Sequence, residues 1–115
     1  PMFVRNAARE AGVEADVIQT NHEGAFVDAI QDARGRYDAL VVNAAAYTHT
    51  SVAILDALKA VALPVAEVHL TEPAEREPFR RTSFVAPAAE ARFAGKGFES
   101  YREAIRHFAE SEPAP

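Results

Sequence analysis

Four short apolar runs punctuate the chain, and each ends abruptly in polar residues. Asp16-Val17-Ile18-Gln19-Thr20 gives way to Asn21-His22-Glu23-Gly24. Ala39-Leu40-Val41-Val42 gives way to Asn43, then Tyr47-Thr48-His49-Thr50-Ser51. Pro64-Val65-Ala66-Glu67-Val68 runs into His69-Leu70-Thr71, and Arg92-Phe93-Ala94 into Gly95-Lys96-Gly97. Helical periodicity fills the intervals. Residues 2–11 carry Phe3, Ala7, Ala8 and Ala11 on one face, with Gly12 as the stop. Residues 23–34 carry Phe26, Ala29, Ile30 and Ala33, with Gly35 as the stop. Ser51 is a good N-cap for a helix whose inward stripe is read as Val52, Leu55, Leu58 and Ala62. Residues 98–110 turn Tyr101, Ile105 and Phe108 inward.

The apolar runs themselves read as strands. Residues 14–20 form one, and 38–43 form a buried one, because that run is continuously apolar rather than alternating. Pro64 opens the next strand, where a lost N–H is tolerated. Residues 71–83 crowd Glu72, Glu75, Arg76, Glu77, Arg80 and Arg81 around two prolines, which predicts a long charged loop. Strands alternating with helices predict an α/β domain with an open parallel sheet. In such a sheet the carboxyl ends point to one edge, where ligands bind. Three of the four histidines, His22, His49 and His69, fall at or just beyond such ends. The pattern therefore predicts one site assembled from several loops.

The layout has one irregularity: it opens on a helix with no strand before it. A doubly wound domain ordinarily starts with a strand near the sheet centre. An unfilled central slot would leave backbone N–H and C=O groups unpaired. The expectation is that upstream residues, or another polypeptide, supply that strand. Residues 1–110 read as one domain and 111–115 as a frayed tail.

Composition narrows the function. With 115 residues and 49% apolar content the chain can build a single core. A net charge of −5 without a long basic stretch argues against a nucleic-acid face. The absence of cysteine removes disulfides, thiolate nucleophiles and cysteine-based zinc sites. No two histidines share the helical i, i+4 spacing of a metal site, so no metal is expected. No apolar run approaches membrane-spanning length, and no signal-peptide core is visible, so the expected location is the cytoplasm.

Some residues invite chemistry. Glu67 and His69 are two apart on a predicted strand and share a face, so a hydrogen bond between them is feasible. A carboxylate partner orients an imidazole and favours its charged form, which suits a general acid near neutral pH. A histidine satisfied by backbone at a strand end is the plainer reading. Asn43 offers two donors and an acceptor at a strand end, or simply caps the turn. His49 could cap the helix that Ser51 starts, and Asp56 on that helix could be an ordinary solvated charge. Arg76 and Arg80 are four apart, so a helical turn would put them on one side, where arginine forks grip carboxylates.

Three segments then carry a resemblance. Asn21-His22-Glu23-Gly24, Asn43 with Tyr47-Thr48-His49-Thr50-Ser51, and Glu67-Val68-His69-Leu70-Thr71 with Arg76-Glu77-Pro78-Phe79-Arg80 together resemble the type II 3-dehydroquinate dehydratases. The likeness runs from about residue 2 to residue 110, and Gly95-Lys96-Gly97-Phe98-Glu99-Ser100-Tyr101 is similar to the family's final glycine turn and helix. The resemblance implies a flavodoxin-like three-layer sandwich that assembles as trimers gathered into a dodecamer. It implies dehydration of 3-dehydroquinate to 3-dehydroshikimate through an enolate, with neither metal nor cofactor. It assigns His69 as general acid, supported by Glu67, and Asn43 as the residue that aligns it. It gives substrate contacts to Asn43, His49, Leu70, Thr71 and Arg80, and to Asp56 across a subunit boundary. Arg76, and the pair His22 and Glu23, are implied to be structural rather than catalytic.

The departures from the family's pattern matter equally. The family's first strand, its Asn-rich turn and the mobile lid carrying an arginine and a tyrosine base have no counterpart here. Tyr37, Tyr47 and Tyr101 do not match the tyrosine's position. The family's usual Ser-Asn beside the substrate carboxylate is Thr71-Glu72, and its His-Ala before the first loop arginine is Ala74-Glu75. The base is accordingly expected in the absent N-terminal part. The alternatives are a non-catalytic, oligomeric relative that binds a ring acid or serves as an assembly module, and a flavodoxin-like binder of a phosphorylated ligand.

Overall fold

The computed structural model describes residues 2–111. Among these residues, four helices and three strands follow in the order α1 (Met2–Ala11), α2 (Glu23–Asp32), β1 (Leu40–Val42), α3 (Val52–Val61), β2 (Val65–His69), β3 (Ala91–Ala94) and α4 (Glu99–Ala109). Among the described residues the strands form one parallel sheet in the order β1-β2-β3. Pleating divides the side chains between two apolar layers. Val42 and Val65 join Ile30 of α2 and Ile54, Ala57, Leu58 and Val61 of α3 on one face. Ala66 and Val68 meet Ala104 of α4 on the other, with Val41, Phe93, Tyr101 and Phe108 packed around them. Helix α1 packs against α4 through Ala7, Ala8 and Ile105.

The helix ends follow local chemistry. The Ser51 hydroxyl accepts the Ile54 N–H at 3.0 Å, as the N-cap reading predicted. Helix α3 ends at Ala62, whose backbone is left-handed (φ 57°, ψ 30°), a conformation that glycine adopts more readily. The predicted α3 stripe is rotated, however. Val52 is 50% exposed and Ala62 is an exposed cap, while the buried positions are Ile54, Ala57, Leu58 and Val61. This helix is apolar on almost every side, so periodicity had little to select between faces.

The strand predicted at 14–20 is not formed. Ile18 is 66% exposed, and no ladder joins this segment to the sheet. A strand needs a hydrogen-bonding neighbour, and side chains reach across instead. The Tyr37 hydroxyl donates to the Asp16 carboxylate, and the Tyr47 hydroxyl donates to the Asn21 carbonyl at 3.1 Å. Those two tyrosines flank β1 in the chain, so the segment runs alongside β1 in the same direction. The outer edge of β1 carries no strand among the described residues. Helix α2 also stops earlier than predicted, at Asp32 with Ala33 as its cap, and turns rather than helix lead to Gly35. Residues 112–115 of the predicted frayed tail lie outside the described residues.

Candidate active site

Because β1 and β2 are parallel, Asn43 just past β1 and His69 at the end of β2 leave the sheet at the same edge. Alternation along β2 puts Glu67 and His69 on the face that Val65 shares with α2 and α3. Glu67 is thereby driven into an apolar layer, where it is 1% exposed. A carboxylate in that position needs strong partners. It receives two on one oxygen: His69 Nε2 lies 2.7 Å from Glu67 Oε2, and the Ser83 hydroxyl donates to the same atom at 2.6 Å. Burial alone would push the Glu67 carboxyl up. The hydrogen bonds from His69 and Ser83 and the positive charges of His69 and Arg92 outweigh it and hold the group below the usual carboxylate range. The hydrogen bond predicted from the two-residue spacing is therefore present.

That bond also fixes the histidine. A carboxylate can only accept, so His69 Nε2 carries a proton, and the ring is held by its far side with Nδ1 as its remaining nitrogen. His49 is oriented by the same logic. Its Nδ1 lies 2.7 Å from the Thr82 carbonyl and must donate, which leaves Nε2 as the other ring nitrogen. Thr82 and Ser83 are neighbours, so one loop holds both histidines, the second through Glu67. Ser83 is itself pinned, because its oxygen accepts the backbone N–H groups of Val85 at 3.2 Å and Ala86 at 3.0 Å.

The charged loop is more ordered than its composition suggested. Two short 3-10 turns, Pro73–Glu75 and Pro78–Arg81, each begin on a proline, whose fixed φ and absent N–H suit a first helical position. The break between them means that Arg76 and Arg80 do not share a single helical turn. Both instead face Glu77, Arg80 Nε at 2.7 Å and Arg76 Nε at 4.0 Å. Arg80 is the better buried of the two and lines a cavity of about 50 Å³ together with Thr48, His49, Glu67, His69, Ser83 and Arg92. A wider depression of about 340 Å³, around Leu58, Pro64 and Ala88, opens at the opposite edge of the sheet and holds none of these groups.

The remaining candidates lie around this cavity or away from it. Asn43 does not line it. Its amide Nδ2 donates to the Tyr101 hydroxyl at 2.9 Å, and its Oδ1 accepts the Ala45 N–H at 3.0 Å, which settles the amide's orientation. Leu70 and Thr71 are exposed just past His69. The carbonyls of His69 and Leu70 are taken by the N–H groups of Gly95 and Gly97. Asp56 is exposed on α3, outside the cavity. His22 is exposed as well, so the expected cluster of three histidines is a pair. Its neighbour Asn21 meets Tyr47 just past β1, but His22 itself does not line the cavity.

Ser83, Thr48 and Arg92 were not singled out from the sequence. Thr48 sits in a 3-10 turn (Ala45–His49), and its hydroxyl and Glu67 Oε1 are buried without a protein partner. Arg92 stands opposite Glu67 in the β2–β3 register, a pairing visible only once the strands are aligned.

The arrangement places an oriented imidazole–carboxylate pair, a second imidazole and arginines at one sheet edge, and it matches a known family. The model of the family described as "Dehydroquinase class II" matches residues 2–109. The chain is 51% identical over 105 residues to 3-dehydroquinate dehydratase 2 of Pseudomonas putida, covering 91% of this chain and 70% of that one. It is 48% identical over 102 residues to the 3-dehydroquinate dehydratase of Gloeobacter violaceus, covering 89% of this chain and 64% of that one. The crystal structure of the type II dehydroquinase from Butyrivibrio crossotus superposes with a TM-score of 0.90 at 37% identity, over 96% of this chain and 77% of that one. A 3-dehydroquinate dehydratase-like protein from Bifidobacterium longum gives 0.78 at 31% identity. The chain thus spans about two thirds of the length of these sequence relatives, with the same α/β fold, and it belongs to the class II dehydroquinase family.

Proposed function

We propose that this chain carries the acid and binding half of a type II 3-dehydroquinate dehydratase, which converts 3-dehydroquinate to 3-dehydroshikimate. The observation that carries the reading is the buried Glu67–His69 pair, held by Ser83 at the carboxyl edge beside His49 and Arg80. A base removes a proton next to the substrate ketone, and the enolate then expels the β-hydroxyl. That hydroxyl leaves as water only if a proton reaches it, and His69 Nδ1 is the donor in this reading. Glu67 stabilises the imidazolium before transfer and keeps the ring in place afterwards. Asn43 aligns His69 and meets a substrate hydroxyl by giving up its bond to Tyr101. His49 Nε2 meets another hydroxyl, and Arg80 contributes charge. The N–H groups of Leu70 and Thr71, with the Thr71 hydroxyl, receive the carboxylate.

The base lies elsewhere in this reading. The three tyrosine hydroxyls are all engaged: Tyr37 with Asp16, Tyr47 with the Asn21 carbonyl and Tyr101 with Asn43. None of the three lines the cavity. Residues 1–115 alone are therefore proposed to bind substrate with little or no turnover, since binding without a base gives affinity without rate. Self-association into trimers and a dodecamer belongs to the same reading and gives Asp56 its role, at the site of a neighbouring subunit. Light scattering at micromolar concentration is expected to show the assembly, and a monomer mass would count against it.

The test is the ultraviolet absorbance of the conjugated product, followed for residues 1–115 and for an upstream-extended chain. The extended chain is expected to turn over, and His69→Ala to lower its rate by about 10²–10⁴-fold. Equal turnover from both would place the base within residues 1–115. No turnover from the extended chain would favour the non-catalytic ring-acid binder, whose support is the added charge at Glu72.

A further inference from the structure

The loop that follows β2 and the loop that follows β3 run side by side. Gly95 N–H donates to the His69 carbonyl at 3.3 Å, and Gly97 N–H donates to the Leu70 carbonyl at 2.9 Å. Gly95 has φ 84°, a left-handed backbone that favours glycine, and a Cβ there would meet the Glu72 Cβ at an ordinary contact distance of 3.6 Å. Across the same seam Arg92 grips Glu72 with both terminal nitrogens, Nη2 to Oε1 at 2.9 Å and Nη1 to Oε2 at 3.2 Å. This is the two-pronged geometry that makes arginine–carboxylate pairs specific. Arg92 also lines the small cavity and stands opposite Glu67 in the strand register.

Glu72 directly follows Leu70 and Thr71, the segment assigned above to the substrate carboxylate. An unpaired carboxylate there would repel an anionic ligand. We propose that Arg92 is a positioning and specificity residue. By pairing with Glu72 it cancels the charge beside the anion-binding loop and ties that loop to β3, so a ring carboxylate can enter. This rests on the functional reading above. The pairing with Arg92 holds the Glu72 carboxyl below the usual carboxylate range, so the pair stays charged near neutral pH. The arginine's charge also acts on Glu67, which links the same residue to the orientation of His69. A purely structural tie would make the two partners equivalent in any test. A charge-cancelling one makes them opposite.

The experiment is a cycle of E72Q, R92Q and E72Q/R92Q in residues 1–115, with R92K as the conservative variant. The first measurement is calorimetric affinity for quinate, a hydroxylated ring carboxylate that lacks the reacting ketone. R92Q leaves Glu72 uncompensated and is expected to weaken binding about tenfold, the effect of one unit charge roughly 7 Å away at intermediate dielectric. E72Q, which frees the Arg92 cation, is expected to tighten binding by a few-fold. The double variant returns near the parent, and R92K stays nearer the parent than R92Q. The second measurement is backbone order at Leu70–Glu72 by ¹⁵N relaxation, which needs no ligand. Both single variants and the double are expected to lose order equally, because each breaks the same pair. Equal loss of affinity in E72Q and R92Q would overturn the charge-cancelling role. A parent chain that fails to bind quinate would overturn the functional reading. In that case the relaxation data alone decide the tie, and unchanged order in R92Q would overturn it too.

Discussion

Replacing Ser83 by alanine tests the claim that one hydroxyl organises the Glu67–His69 pair. Three hydrogen bonds meet at this oxygen: it donates to Glu67 Oε2 and accepts from Val85 N and Ala86 N. The bond to a buried carboxylate is the strongest, and losing it costs about 1.5–3 kcal/mol. The Ala86 N–H lies where water can replace the serine, since Ala86 is exposed, but Val85 is 1% exposed and its N–H has less recourse. Glu67 Oε1 is already without a protein partner, so the carboxylate has little reserve. A total loss of about 2–3 kcal/mol follows, or roughly 10 °C in melting temperature for a domain of this size. The assay is urea denaturation of Ser83→Ala, Glu67→Gln and the double variant, compared at constant m-value. Removing the charge from residue 67 should halve the serine's contribution, giving a coupling of about 1 kcal/mol. Strict additivity, or a loss below about 0.5 kcal/mol for Ser83→Ala, would show that Ser83 does not act through Glu67.

Two further outcomes concern the fold. Ala62→Gly should stabilise the chain by about 0.5–1 kcal/mol, because the left-handed cap penalises a Cβ and the residue is exposed; the urea midpoint reads it, and a lower midpoint would count against the cap geometry. The Glu67 carboxyl titrates below its unfolded value, so it contributes stability that is complete above about pH 4.3 and is lost as pH falls through the lower folded pKa. Acid unfolding of Glu67→Gln should therefore be shallower than that of the parent in that window, and identical pH profiles would refute the assignment.

The sequence was most informative where a single strand carried the chemistry. Glu67 and His69 need only a period of two to share a face, and the pattern of β2 is unambiguous. Ser51 announced the start of α3 by its side chain alone. What failed did so for physical reasons. Residues 14–20 have the composition of a strand, yet a strand is a relation between two segments, and this one has no hydrogen-bonding neighbour. Helix α3 offered apolar residues on nearly all sides, so only the packing of α2 and the sheet could choose its buried face. Ser83 and Arg92 were hidden because their partners are remote in sequence, at Glu67 and Glu72. Asn43 was legible as a strand-end amide, but its present partner, Tyr101, lies 58 residues away.

These partners divide the site into parts of unequal stiffness. The Glu67–His69 side is built from a strand end, a buried carboxylate and a serine whose hydrogen bonds to protein number three, so its geometry is set before any ligand arrives. The amide of Asn43 is committed at both ends, to Tyr101 and to Ala45, and under the proposed function would exchange one bond for a substrate hydroxyl. The outer edge of β1 next to it, like that of β3 on the other side, continues into no strand among the described residues. A strand paired along that edge would stiffen the backbone leading into Asn43 without touching His69. The rate of such an enzyme would then depend on that edge chiefly through alignment, where displacements of about 1 Å cost about 10²-fold. Affinity for a ring carboxylate would depend on it less, because Leu70, Thr71 and Glu72 are tied to β3 on the far side of β2. In a chain that also carries the base, an added strand should accordingly raise turnover far more than it raises affinity.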